Sequence, residues 1–74
     1  MKALANFLIA RKTETGFQKV AVGSLYSFDG CFAKPDYMSD AVHQSILNTA
    51  RWMFGESIRP SFVDLESGYR VSLC

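Results

Sequence analysis

The side chains of this chain that can do chemistry are few and scattered. One histidine, His43, and two cysteines, Cys31 and Cys74, are the soft metal ligands and the nucleophile candidates. As a zinc site they supply three of the usual four ligands, at spacings that match no common motif. Cys31 and His43 would act as nucleophile and base only within hydrogen-bond reach and with a third group orienting the imidazole. Nothing in the sequence indicates either condition. The carboxylates pair as Asp36 with Asp40 and as Asp64 with Glu66, beside a helix start and a turn, where solvated carboxylates are ordinary. Acid–base work needs environments that drive two pKa values apart. The five glycines are spread through turns and a helix end and form no phosphate-binding loop. The expectation is a chain without enzymatic activity, cofactor or metal.

The residues that invite a different kind of chemistry lie in "NTARWMFGES", residues 48 to 57, around the only tryptophan. At about 100° per residue, Val42, Ile46, Ala50 and Met53 form one stripe of a helix, with Leu47 and Phe54 beside it. Asp40, Gln44, Asn48 and Arg51 occupy the far side. Trp52 falls about 150° from the centre of the apolar arc, next to Asn48 and Ser45, whereas His43 falls about 60° from it, at the edge of a core. Either the helix end tightens so that Trp52 folds under the sheet edge or onto the loop at Phe32 and Tyr37, or Trp52 is presented outward as a contact anchor, since tryptophan, tyrosine and arginine dominate binding energy at interfaces. Trp52, Arg51 and Asn48 are therefore the candidate partner-binding residues. Phe32 and Tyr37 join them as bulky side chains of the loop "DGCFAKPD" and its continuation.

These residues need elements to position them. Residues 3 to 12 and 17 to 28 are apolar-rich runs joined by "KTETG", and read as a β-hairpin. On a regular second strand Gln18, Val20, Val22, Ser24, Tyr26 and Phe28 share one face. Gly23 inside that strand marks a bulge or a close approach by another group. Asp29-Gly30 begins a loop. The helix starts with Asp36 or Ser39 as its cap, carries Asp40 in its first turn, and runs to about Phe54, with Gly55 as its left-handed stop. "SIRPSFVDLESGYRVSLC" reads as a second hairpin turning at Ser67-Gly68, with Tyr69, Val71 and Leu73 facing inward. The expected fold is α+β: a single small domain over 1–74, in the order ββαββ, with an antiparallel sheet and one helix packed on one face.

Composition narrows the function. Hydrophobic residues make up 49% and charged residues 20%, as in folded globular chains. Eight Lys and Arg stand against seven Asp and Glu, and only Arg11 and Lys12 are adjacent. That scatter argues against nucleic acid as the principal partner, since phosphate contacts require a clustered basic face. The start "MKALANFLIARK" is interrupted by Asn6, closed early by Arg11 and Lys12, and followed by no cleavage signal, so it does not read as a secretory leader. No run approaches the ~20 apolar residues of a membrane span. Starting at Met1, the chain reads as a complete small cytoplasmic protein.

The leading expectation is a small non-catalytic protein-binding module that occupies a surface of a larger host or partner protein. Stand-alone chains of this size, without motifs and with balanced charge, include phage- and mobile-element-encoded inhibitors of host machinery, anti-CRISPR proteins among them; that association rests on size and layout alone. A homodimeric structural or accessory protein, pairing through a sheet face or an edge strand, is the alternative. A weak single-stranded nucleic-acid binder, stacking bases on Phe17, Tyr26 and Tyr69, is the third class.

Overall fold

The computed structural model describes residues 2–27 and 29–74 of the chain. Six elements follow in the order β1 (Ala5–Thr13), β2 (Gly16–Leu25), β3 (Gly30–Cys31), α1 (Asp40–Gly55), β4 (Val63–Asp64) and β5 (Tyr69–Leu73). They form one five-stranded sheet, ordered β3-β2-β1-β5-β4, in which every pairing is antiparallel. The helix lies on one face, as the α+β reading requires. The one additional element is β3, a two-residue edge strand inside the segment expected to be a loop. Too short to carry a periodic pattern, it is recruited because Gly30 and Cys31 fall opposite Leu25 and Ser24.

The core is apolar throughout. Phe7, Ile9, Leu25, Ile46, Met53 and Val71 are fully buried, and Met38, Leu47, Ala50 and Tyr69 complete the cluster. Phe7 and Ile9 alternate with Leu8 along β1, so the first set faces the helix and the second faces away. The helical stripe is the one drawn from the sequence: Ile46, Leu47, Ala50 and Met53 are buried, and Val42 and Phe54 pack at its margins. Of the two cap candidates Ser39 serves. Its Oγ accepts from the Val42 N–H at 3.2 Å, and Asp40 occupies the first turn.

Three local points are decided. First, of the two roles open to Gly23, bulge or close approach, it takes the close approach. Gly23 pairs with Phe7, whose ring lies over it so tightly that an added Cβ would overlap Cζ. Second, the bulge lies earlier. Ile9 pairs with Ala21 but Ala10 pairs with Lys19, leaving Val20 as the extra residue. The even-numbered residues of β2 therefore do not share one face. Gln18 opposes Arg11 on the helix side, whereas Val22 and Ser24 oppose Leu8 and Asn6 on the other. Phe28, also assigned to that strand, lies outside the described residues. Third, Gly55 is the last helical residue, not a left-handed stop; the helix ends because Glu56 is extended (φ −75°, ψ 142°), its N–H donating to the Met53 carbonyl at 3.4 Å. The glycines with positive φ are Gly16 and Gly68, at the two hairpin turns.

Gly23→Ala is expected to destabilise the fold by about 2–3 kcal/mol, the cost of forcing a methyl into a filled core. Denaturant unfolding measures this, and the double variant with Phe7→Leu should recover part of the loss because the two residues share one space.

Candidate functional site

The five candidate residues separate into three places. Trp52 lies on the outer face of α1 and is 54% exposed. Arg51 and Asn48 flank it within one hydrogen-bonded row. The Asn48 Oδ1 accepts from Gln44 Nε2 at 3.1 Å and from Arg51 Nη2, while Arg51 Nη1 stands 3.8 Å from Asp29 Oδ1. That aspartate also accepts the Gly30 N–H at 2.8 Å, so the row is tied to the start of β3. The helix thus offers a tryptophan beside polar side chains whose conformations are already restrained, which lowers the ordering cost of any contact made there.

Phe32 is not part of that surface. It is half-buried, edge-on to Phe7 at 6.0 Å between ring centroids, and 4.6 Å from the His43 ring. His43 is accordingly a packing partner of Phe32 at the core margin. Tyr37 is 61% exposed, but it precedes the helix, and Asp40 and Trp52 are about 18 Å apart along the axis. Tyr37 lies instead 5.0 Å beneath the Arg11 guanidinium. The loop holding both residues is drawn onto the core by Met38, which is buried, and by Lys34, whose Nζ donates to the Met38 carbonyl at 2.9 Å and lies 3.5 Å from Asp40. A loop with four bulky side chains gives no sequence signal for which of them turns inward.

A second surface went unnoticed in the sequence because it depends on strand order. The sheet face away from the helix is uncovered, and Leu4, Phe17, Val22 and Phe62 on it are all exposed. At its centre Arg70 lies 3.9 Å from both the Phe17 and the Phe62 ring, a cation held between two aromatic faces. The same guanidinium donates to both carboxylate oxygens of Asp64, Nε at 2.6 Å and Nη2 at 3.0 Å. Cross-strand pairing brings the group together, because Asp64 opposes Arg70, Arg70 opposes Ala10, and Lys12 opposes Phe17. A concavity of about 350 Å³ opens beside it, edged by Lys12, Glu66 and Gly68. The cluster staples β4 and the tip of the first hairpin to the middle of the sheet. Of the aromatics considered as base-stacking platforms, Tyr69 is buried in the core, Tyr26 is half-buried, and the Phe17 ring already carries Arg70.

Cys31 and Cys74 are exposed free thiols, and among the described residues no group of three His, Cys, Asp or Glu side chains gathers to hold a metal ion. No helix of the described residues is long and apolar enough to cross a membrane. No protein-family model, curated protein or solved structure matches the chain.

The hydrogen bond from Arg70 holds the Asp64 carboxyl below its ordinary value; partial desolvation opposes this and the charges of Arg70 and Lys12 add to it. The same bond makes Arg70 hold its proton more tightly. A carboxylate pKa lowered by folding gives stabilisation that is complete above the unfolded value, near pH 4, and lost as pH falls through the folded one. Asp64→Asn is therefore expected to lower the melting temperature at pH 6, and the difference from wild type is expected to shrink as the pH falls below the ordinary carboxylate range. Parallel melting curves across that range would show that the pair contributes nothing.

Proposed function

We propose that this chain is a non-catalytic protein-binding module acting through the outer face of α1, with Trp52 as its anchor and Arg51 and Asn48 as its polar margin. The observation that carries the reading is the exposure of the chain's single tryptophan on a helix whose opposite stripe already completes the core. Covering the exposed half of Trp52, on the order of 130 Å², is worth about 3 kcal/mol. The partner is a larger protein in the same compartment, taken here as the cytoplasm, and the effect on it is steric occupation of a surface. A phage- or mobile-element inhibitor of host machinery, of the anti-CRISPR kind, is the narrower form of this reading; it rests on size and layout alone. Phe32 contributes by supporting the core. Tyr37 is too far along the helix axis to share the same contact.

Two measurements test the proposal. Emission of the isolated protein at low concentration should be that of a solvent-accessible tryptophan, and acrylamide should quench it readily. Affinity capture from a lysate of the source cells should then yield one stoichiometric partner with wild type and at least tenfold less with Trp52→Ala, at an unchanged melting temperature. A partner retained equally by the alanine variant would remove the helix face from the function.

A further inference from the structure

We infer that the outer face of α1 takes a second copy of this chain as an occupant, the two helices lying antiparallel about a two-fold axis. The inference rests on the reading of that face as the contact surface. It makes self-pairing and partner binding mutually exclusive, since both cover Trp52.

The face has two ends of different shape. At about 100° per residue, Ala41, Ser45, Asn48 and Trp52 fall within about 60° of one another on a single outer stripe, about 16 Å from end to end. Trp52 projects at one end. At the other end a groove of about 460 Å³ lies between α1 and the β4–β5 turn, with Ala41, Val42 and Ser45 on one wall and Leu65, Glu66 and Ser67 on the other. Val42 and Leu65, both packed against the core, give it an apolar lining. A knob and a hole thus occupy opposite ends of one stripe.

Charge follows the same division. Asp40 and Arg51 are the only Asp, Glu, Lys or Arg among the sixteen residues of α1. They stand toward its two ends on one flank of the stripe, about 20° apart around the axis, and the groove opens on the other flank. The Asp40 side chain is 96% exposed, and Arg51 meets Asp29 only at 3.8 Å.

A second copy is the occupant these features fit, because one register satisfies them together. With Trp52 opposite Ala41 of the second copy, Asn48 meets Ser45 and Gln44 meets Thr49, so the middle of the contact is uncharged. Arg51 then comes within about 3 Å, along the axis, of the level of Asp40 of the second copy. A two-fold axis across antiparallel helices sets each flank beside its own equivalent. Cation therefore meets carboxylate on one flank, ring meets groove on the other, and each contact occurs twice. Glu66, in no ion pair among the described residues, stands at the groove as an acceptor for the indole N–H. A contact one helix wide buries little area, so the association is weak and concentration-dependent.

Sedimentation equilibrium between about 10 µM and about 1 mM, the range of contacts with small buried area, tests this. The expected result is a mass rising from 8.3 kDa toward its double, with Trp52 emission moving to shorter wavelength as the concentration rises. Trp52→Ala, which removes the knob, and Ala41→Arg, which fills the groove, should each weaken association at least tenfold. Arg51→Glu and Asp40→Lys should each weaken it several-fold at low salt, by setting like charges together. An equimolar mixture of those two variants should recover most of the loss, because opposite charges then face one another on both sides of the axis. Circular dichroism establishes that the variants are folded, and if Asp40→Lys is not, Ala41→Arg decides. A mass of 8.3 kDa throughout the range would overturn the inference. So would a dimer that Ala41→Arg leaves intact, or folded charge variants that mixing does not restore. A monomer whose captured partner still depends on Trp52 would sink the self-pairing alone and leave the proposed function standing.

Discussion

The contact between Phe7 and Gly23 is the constraint on which the other packing depends. A phenyl ring can lie flat over a strand only where the opposing residue has no Cβ, so the pair fixes the register of β1 against β2 at one position. From that register Leu25 comes opposite Ala5 and closes the core at one end. Phe32 then meets the edge of the Phe7 ring and turns the loop before α1 inward, and His43 covers Phe32 from the first turns of the helix. The route from hairpin to helix is therefore a chain of ring contacts in which each position presupposes the one before. In a domain of 74 residues, where surface is large relative to core, a single well-filled contact of this kind has more to support than it would in a larger protein.

Much of the architecture was legible because periodicity reports burial. The stripe Ile46, Ala50 and Met53, the cap at Ser39, the turn at Gly68 and the inward set Tyr69, Val71 and Leu73 each follow from one local rule. The outward phase of Trp52 was legible in the same way, as simple helix geometry. What escaped the sequence was whatever depends on two distant segments at once. Val20 as the bulged residue has no local signature, since it is defined by which residues of β1 stand across from it. The Arg70 cluster joins residues from β1, β2, β4 and β5 and becomes visible only when the strand order is known. For the loop at Phe32 and Tyr37 the sequence leaves open whether it tucks onto the core or is held out, and its two rings go to different places, because side-chain direction in irregular backbone has no period to read.

The two sides of the molecule present different chemistry. The helix face carries one large ring among hydrogen-bonded polar groups, and its spacing is set by a rigid rod. The opposite face combines exposed apolar side chains with an arginine that gives two of its five N–H donors to a carboxylate and has aromatic rings over its guanidinium, so its charge is already partly neutralised within the fold.

The bulge at Val20 changes what the tip of the first hairpin can reach. In an uninterrupted strand, Phe17 would share the face of Ala21 and Gly23 and would add a ring to the helix side. The single extra residue inverts the parity of everything between it and the turn, so Phe17 emerges on the bare face above Arg70. The bulge therefore works as a half-period phase shift between the base of the hairpin, which builds the core, and its tip, which furnishes the outside. Deleting Val20 would close the ladder and leave both roles in place, since Lys19 would still oppose Ala10 and Phe17 would still oppose Lys12, whereas forcing Val20 into the ladder would exchange them.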